Sequence, residues 1–125
     1  MKLDWNVGLV AHLGIEFVEV TVDRVVARLN VTDKLLTTTG VVHGGTLMAF
    51  ADTIGAAGTV ANLAEGQRTA TLESKTNFIA GCRTGLIQAV ATPIHKGRRT
   101  QVWETRITDE GGKLLSVTTQ TQMIL

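Results

Sequence analysis

One acid and one histidine stand in an otherwise uncharged stretch of the sequence, from Gly40 to Leu63. Asp52 follows His43 by nine residues, and none of the residues three or four positions from Asp52 can pair with its charge. An uncompensated carboxylate in apolar surroundings is costly, and such residues concentrate at functional sites. We therefore interpret Asp52 as a candidate nucleophile or as the group that activates a water molecule.

A structural role for Asp52 is the alternative. Its carboxylate would then reach a water-filled groove or accept a hydrogen bond from a hydroxyl such as that of Thr53 or Thr59. No Lys, Glu or Gln, the residues of a solvated helix face, occurs between Gly44 and Ala64. A helix over this stretch is therefore expected to be covered on most sides, and its lone acid favours the functional interpretation.

The pair Gly44-Gly45 could supply a second chemical group. Glycines at the start of a helix let a ligand approach the backbone and leave N–H groups unpaired, which suits an oxyanion or another anion. Gly44 and Asp52 are eight residues apart, or about 12 Å along a helix axis. One carbonyl group cannot touch both, so joint action requires an antiparallel, two-fold pairing of two subunits. Without further support, such a pair is more often a turn.

The helix that positions these groups is predicted from just after His43-Gly44-Gly45 to about Leu63, with Gly66 as a stop signal. Leu47, Phe50 and Ile54 form its apolar stripe. A short helix is expected within residues 1–13, and a polar loop over residues 32–42.

Alternating apolar residues and Gly-rich or charged turns predict six strands. They span Gly14–Thr21, Arg24–Val31, Arg68–Ala80, Gly85–Lys96, Thr100–Thr108 and Lys113–Leu125. A tight turn at Val22-Asp23 joins the first two, and Pro93 indicates a bulge or an edge position. Two strands, one helix and four strands form an α+β layout in which an antiparallel sheet wraps a buried helix.

The composition narrows the class of protein. A length of 125 residues fits one domain, residues 1–125. The net charge of +1 gives no case for nucleic acid or membrane binding. A mean hydropathy of +0.19 with 18% charged residues favours an oligomer. One cysteine and three scattered histidines indicate no disulfide and no metal site. Without a signal peptide or a spanning apolar run, a cytoplasmic location is expected.

The order of elements and the motifs resemble the hot-dog fold acyl-CoA thioesterases over nearly the whole chain. The shared motifs are Gly40-Val41-Val42-His43-Gly44-Gly45, the acid nine residues after the histidine, and Thr76-Asn77-Phe78. The stretch from Pro93 to Trp103 resembles the aromatic acyl-CoA branch. That branch includes 4-hydroxybenzoyl-CoA, 1,4-dihydroxy-2-naphthoyl-CoA and phenylacetate-pathway thioesterases.

The resemblance implies hydrolysis of an aromatic or medium-sized acyl-CoA to the free acid and coenzyme A, which is part of the substrate rather than a cofactor. The Gly44 N–H would polarise the thioester carbonyl, with Gly45 beside it on the substrate. His43 would position the carbonyl or the turn, and Asp52 would attack as nucleophile or activate water. The resemblance also implies a homodimer through the central helix and a dimer of dimers.

Three positions depart from the family. Thr37 stands where relatives often carry Gln or Asn, and Ala56 replaces a hydroxyl residue found in some of them. Thr71, on the strand expected to face the helix, is the candidate for that missing hydroxyl. Asp52 is typical of phenylacetate-pathway members, whereas the branch that the last third resembles usually has Glu.

A basic turn is the candidate coenzyme A site. It comprises His95, Lys96, Gly97, Arg98 and Arg99, whose cations could hold phosphates at the mouth of a groove. A solvated hairpin tip is the alternative for the same residues. The resemblance favours the phosphate site.

Two other functions stay open. A hot-dog hydratase or dehydratase would act on acyl thioesters, but such enzymes usually pair a histidine and an acid in a different motif. A non-catalytic acyl-CoA-binding module would use the same fold without turnover, and about a dozen residues before the first strand leave little room for an effector segment.

Overall fold

The protein, described over residues 1–125 by a computed structural model, is a six-stranded antiparallel sheet wrapped around one long helix. The elements in chain order are α1 (Gly8–Leu13), β1 (Glu16–Val20), β2 (Val25–Val31), a 3-10 turn (Asp33–Leu35), α2 (Gly44–Ala61), β3 (Thr69–Phe78), β4 (Gly85–Lys96), β5 (Thr100–Thr108) and β6 (Leu114–Ile124). The long helix α2 contacts all six strands. The predicted α+β layout is therefore confirmed.

The strand order is β1-β2-β4-β5-β6-β3. The chain leaves β2, passes through α2 beneath the sheet and enters β3 at the opposite edge. β1 and β3 are thus the two edge strands, and β3 pairs only with β6. This crossover places β3, the strand that follows α2, directly beside that helix.

The core follows the alternation read from the sequence. The predicted inward residues of β2 are buried, namely Val25, Ala27, Leu29 and Val31. The stripe of Leu47, Phe50 and Ile54 on α2 is buried as well. Burial of these apolar side chains against the inner face of the sheet is the main force that holds the helix in place.

Most boundaries agree with the prediction to within a few residues, and the exceptions have local causes. β1 is shorter than the predicted Gly14–Thr21 because Gly14 instead ends α1 in the left-handed conformation. The predicted loop 32–42 contains the 3-10 turn and a bridge between Leu36 and Val42. The bulge expected at Pro93 is present, because the register with β5 shifts between Pro93 and His95.

Two glycines in α2 allow the sheet to approach the helix closely. A Cβ added at Gly58 would lie 2.6 Å from the ring of Trp103, which is fully buried on β5. A Cβ added at Gly55 would overlap the side-chain amide of Gln120 on β6. Glycine in a helix interior lowers stability by about 1 kcal/mol relative to alanine. At both positions this loss of helix propensity accompanies close contact with the sheet.

No helix of the protein is both long and apolar enough to span a membrane.

We expect Gly58→Ala to lower the free energy of unfolding by about 1–2 kcal/mol, because overpacking against Trp103 outweighs the gain in helix propensity. Urea denaturation followed by Trp fluorescence measures the change. Gly111→Ala is the matched control, since an added Cβ there meets nothing closer than 3.5 Å. A stabilising Gly58→Ala substitution would contradict the packing described here.

Candidate active site

The start of α2 is capped by the side chain of His43. Its Nδ1 accepts a hydrogen bond from the Gly45 N–H at 2.7 Å, and its backbone carbonyl accepts from Thr46 and Leu47. Nδ1 accepts this bond through its lone pair, so a proton on the ring lies on Nε2. His43 thus fixes the turn, which is one of the two roles expected for it.

The Gly44 N–H has no acceptor within the chain. The first turn of a helix leaves several N–H groups without an acceptor, and this is one of them. The His43 side chain accepts from the Gly45 N–H instead. A Cβ added at Gly44 would lie 3.1 Å from the ring of Phe78, so a side chain here would press against that ring. Gly44 itself is only partly buried and lines a cleft, and its unpaired N–H lies at the positive end of the helix dipole.

An apolar cleft of about 350 Å³ opens beside this N–H. Its lining residues are Thr37, Val41, Val42, Gly44, Leu47, Phe78, Ile79, Ala80 and Gly81. The cleft is thus formed by the start of α2, the loop before it and the end of β3. Its size and mainly apolar lining suit an apolar group of a ligand beside the Gly44 N–H.

Asp52 lies half-buried in the middle of α2 and faces β3 and β6. Its Oδ1 accepts hydrogen bonds from Thr71 Oγ1 at 3.1 Å and from Gln120 Nε2 at 3.3 Å. Neither hydroxyl that a structural role suggested is used, because Thr53 Oγ1 donates to the Ala49 carbonyl and Thr59 Oγ1 has no partner. The expected hydroxyl from Thr71 is therefore the one in contact with the acid.

Gln120 was missed by the sequence analysis. It is fully buried on the inner face of β6, in a row of polar residues that also contains Ser116, Thr118 and Gln122. The available signal was the run of small and polar residues at alternate positions of the last strand, where a core strand normally carries Val, Ile or Leu. A polar row beneath a helix with one acid indicates hydrogen bonds to that acid.

Thr37 lies away from Asp52 in the same subunit. Its N–H donates to the Val41 carbonyl, and it lines the apolar cleft near Gly44. Within one subunit the structure therefore forms two separate groups, Thr37 with the start of α2, and Asp52 with Thr71. Gly44 and Asp52 are both on α2, so the predicted separation of about 12 Å along its axis applies.

The basic turn lies at the opposite end of α2 from Gly44. Lys96 Nζ contacts Asp23 Oδ1 at 2.6 Å and Asn62 Oδ1 at 3.3 Å, and Asn62 caps the end of the helix. Arg98 lines a shallow cleft of about 280 Å³ with Gly97 and Asn62. Arg98 and Arg99 form no ion pair within the chain, so Lys96 anchors the turn while both guanidinium groups face solvent. His95 is exposed beside them.

The chain is similar to known thioesterases. Residues 39–116 match the family model described as the thioesterase superfamily. The 1,4-dihydroxy-2-naphthoyl-CoA hydrolase of Listeria monocytogenes is 37% identical over 88% of this chain and 89% of its own length. The enzyme of the same name from Escherichia coli is 33% identical over 94% and 87%. A crystal structure of a thioesterase from Haemophilus influenzae, 36% identical, covers 94% of this chain and 82% of its own, with a TM-score of 0.90.

We expect His43→Ala to lower the free energy of unfolding by about 1 kcal/mol, because the Gly45 N–H loses its acceptor. His43→Asn supplies a carbonyl oxygen at the cap and is expected to keep most of that stability. Chemical denaturation of the two variants beside the wild type provides the comparison. Equal losses for Ala and Asn would show that the imidazole does not act as a cap.

Proposed function

This chain belongs to the thioesterase superfamily, and we propose that it hydrolyses aromatic or medium-sized acyl-CoA thioesters to the free acid and coenzyme A. It is a thioester hydrolase with a hot-dog fold. The observation that carries the choice of acyl group is the apolar cleft beside the free Gly44 N–H. Relatives named as naphthoyl-CoA hydrolases support an aryl substrate, and arylacetyl groups of the kind found in phenylacetate degradation belong to the same proposal.

In the proposed mechanism, the Gly44 N–H donates a hydrogen bond to the thioester oxygen and stabilises the negative charge that forms there. Asp52 acts on the carbonyl carbon by one of two routes, either as the nucleophile or as the base for an attacking water molecule. Its carboxylate attacks the carbonyl carbon, the thiolate of coenzyme A leaves, and water then hydrolyses the resulting anhydride. Alternatively, it takes a proton from a water molecule that attacks the same carbon. Transfer of ¹⁸O from labelled Asp52 to the product in a single turnover identifies the first route.

The separation of Gly44 from Asp52 supports a site shared between two subunits. β3 is an edge strand that pairs only with β6, and its Leu72 and Phe78 are more than half exposed. Thr71 near one end of β3 contacts Asp52, whereas Phe78 at the other end lines the same cleft as Gly44. A two-fold axis across the middle of β3 would bring the Gly44 turn of one subunit to Asp52 of its partner, twice per dimer.

We include in this proposal that α2 and β3 both lie at the dimer interface and that two dimers form a tetramer. Arg98 and Arg99 would bind the phosphates of coenzyme A, since neither guanidinium group forms an ion pair within the chain. Gly97 would give the backbone room at this turn, with His95 at its side. The proposal also includes a cytoplasmic location, in keeping with a water-soluble acyl-CoA substrate.

Asp52→Asn is expected to lower kcat by about 10²–10⁴-fold, because the amide can neither attack nor take a proton. Thiol release from benzoyl-, phenylacetyl- and hexanoyl-CoA, followed with a colour reagent, measures the loss. Glu104→Gln is the matched control, since Glu104 pairs with Arg106 on the surface of β5, and it should stay within about two-fold of the wild type. An Asn variant as active as the wild type would refute the assignment. Hydration of an enoyl-CoA without thiol release would instead favour a hydratase.

Gly44→Pro is expected to lower kcat by about 10²–10³-fold relative to Gly44→Ala. Both substitutions approach Phe78, but only proline removes the N–H, and the first helical position tolerates proline. His43 already has the extended backbone, φ −62° and ψ 136°, that a following proline requires. Equal kcat values for the two variants would exclude this N–H from the reaction.

A heterodimer of the Asp52→Asn and Gly44→Pro subunits tests whether the site is shared. If each site combines one Gly44 with the partner's Asp52, the heterodimer keeps one intact site and about half of the wild-type activity per dimer. If both groups come from one subunit, the heterodimer is inactive. Co-expression with two different affinity tags, followed by sequential purification, isolates the mixed species.

A further inference from the structure

The carboxylate of Asp52 is held through only one of its oxygens. Oδ1 accepts from Thr71 Oγ1 and from Gln120 Nε2, at 3.1 and 3.3 Å. No group of the chain donates to Oδ2. Two donors occupy the lone pairs of Oδ1 that point toward the sheet. Oδ2 is therefore the oxygen that is available to a water molecule or a thioester carbonyl.

Gln120 holds the side chain and the backbone of Asp52 together. Its Nε2 carries two protons and lies 3.2 Å from the Asp52 carbonyl oxygen as well as 3.3 Å from Oδ1. The Gln120 side chain is fully buried, and its amide lies against Gly55, where no Cβ would fit. An amide confined in this way, bonded to two atoms of one residue, restricts rotation of the Asp52 side chain.

Gln122 acts one step further from the acid. Its Nε2 donates to Thr71 Oγ1 at 2.6 Å, and its Oε1 lies 3.1 Å from Thr69 Oγ1. A hydroxyl has a single proton, so Thr71, which accepts from Gln122, directs its own proton to Asp52. Gln122 is also buried and pairs with Thr71 in the strand register. The amide thus sets the direction of the Thr71 hydrogen bond.

We propose that Gln120 and Gln122 are positioning residues that fix Asp52 with Oδ1 anchored and Oδ2 as the reacting oxygen. Gln120 acts on Asp52 directly, and Gln122 acts through Thr71. The kinetic consequence of this arrangement rests on the proposed function, but the arrangement itself does not. Misdirection of a catalytic group by about 1 Å can cost 10²-fold in rate.

Gln120→Met is the first test, because methionine keeps the length of the side chain and removes both amide donors. We expect kcat to fall by about 10- to 100-fold with KM within two-fold of the wild type. We also expect no loss of stability, because the Gln120 Oε1 is buried without a partner and its removal offsets the lost donor. A purely structural amide would give the opposite pattern, with lower stability and unchanged kcat.

Thr118→Val is the matched control for that variant. Thr118 lies two residues before Gln120 on the same buried row, and its hydroxyl contacts Thr76 at 2.7 Å rather than Asp52. Its loss should leave kcat within about two-fold of the wild type. An equal loss of kcat in Thr118→Val and Gln120→Met would overturn the proposal, because the row would then act through general packing.

A double-mutant cycle tests the relay from Gln122. Thr71→Val removes the hydroxyl and keeps a β-branched side chain that suits a strand, so this variant is expected to fold. Thr71→Ser keeps a hydroxyl and should retain the activity. If Gln122 acts only through Thr71, Gln122→Met lowers kcat in the wild type but has no further effect, beyond about two-fold, in Thr71→Val. Losses that multiply in the double variant would overturn the relay.

Crystal structures of the wild type and Gln120→Met separate this inference from the proposed function. If the wild type hydrolyses no thioester, the proposed function fails, and the position of Asp52 decides the inference. We expect one conformer in the wild type, with Oδ1 toward Thr71 and Oδ2 free, and a rotated or split carboxylate in the variant. An unchanged carboxylate in Gln120→Met, or Oδ2 bound by the wild-type protein, would overturn it.

Discussion

A single carboxylate on a helix without a solvated face is the constraint on which the structure depends. Asp52 needs hydrogen-bond donors, and no hydroxyl of α2 donates to it. The sheet supplies them from Thr71 on β3 and Gln120 on β6. The inner face of the sheet is accordingly divided. β2 and β4 are apolar beneath the stripe of α2, whereas β6 is polar beneath the acid.

The fold also separates the Gly44 N–H, a hydrogen-bond donor, from the Asp52 carboxylate. The Gly44 N–H lies at the start of α2 beside the apolar cleft, and the free oxygen of Asp52 lies about 12 Å further along the same axis. β3 passes both groups, because Thr71 contacts the acid and Phe78 lines the cleft beside Gly44. Pairing two copies along this edge strand, as proposed above, would bring the two groups of different subunits together.

The sequence was sufficient for the architecture because strong periodicity and turn residues mark nearly every element. The inward residues of β2 and the stripe of α2 were predictable from their spacing alone. Asp52 and Gly44 were candidates for the site because each is unusual in its own segment. Gln120 and Gln122 were not, because their role depends on the register between β3 and β6, which pairs Thr71 with Gln122. Register between distant strands is set by tertiary packing, and local sequence carries little of it.

The buried polar residues around the β6 row stabilise the fold less than apolar residues would. This argues that they are present to hold Asp52. Buried hydroxyls of Thr59, Thr105 and Ser116 have no partner, and neither has Gln120 Oε1. Each such group costs about 1–3 kcal/mol relative to a satisfied one. Gly55 adds a further cost of about 1 kcal/mol in helix propensity and admits the Gln120 amide in return. Apolar residues would pack this region more stably, but none of them could donate to Asp52. The donors directed at the carboxylate are thus the one property of this region that packing alone does not explain.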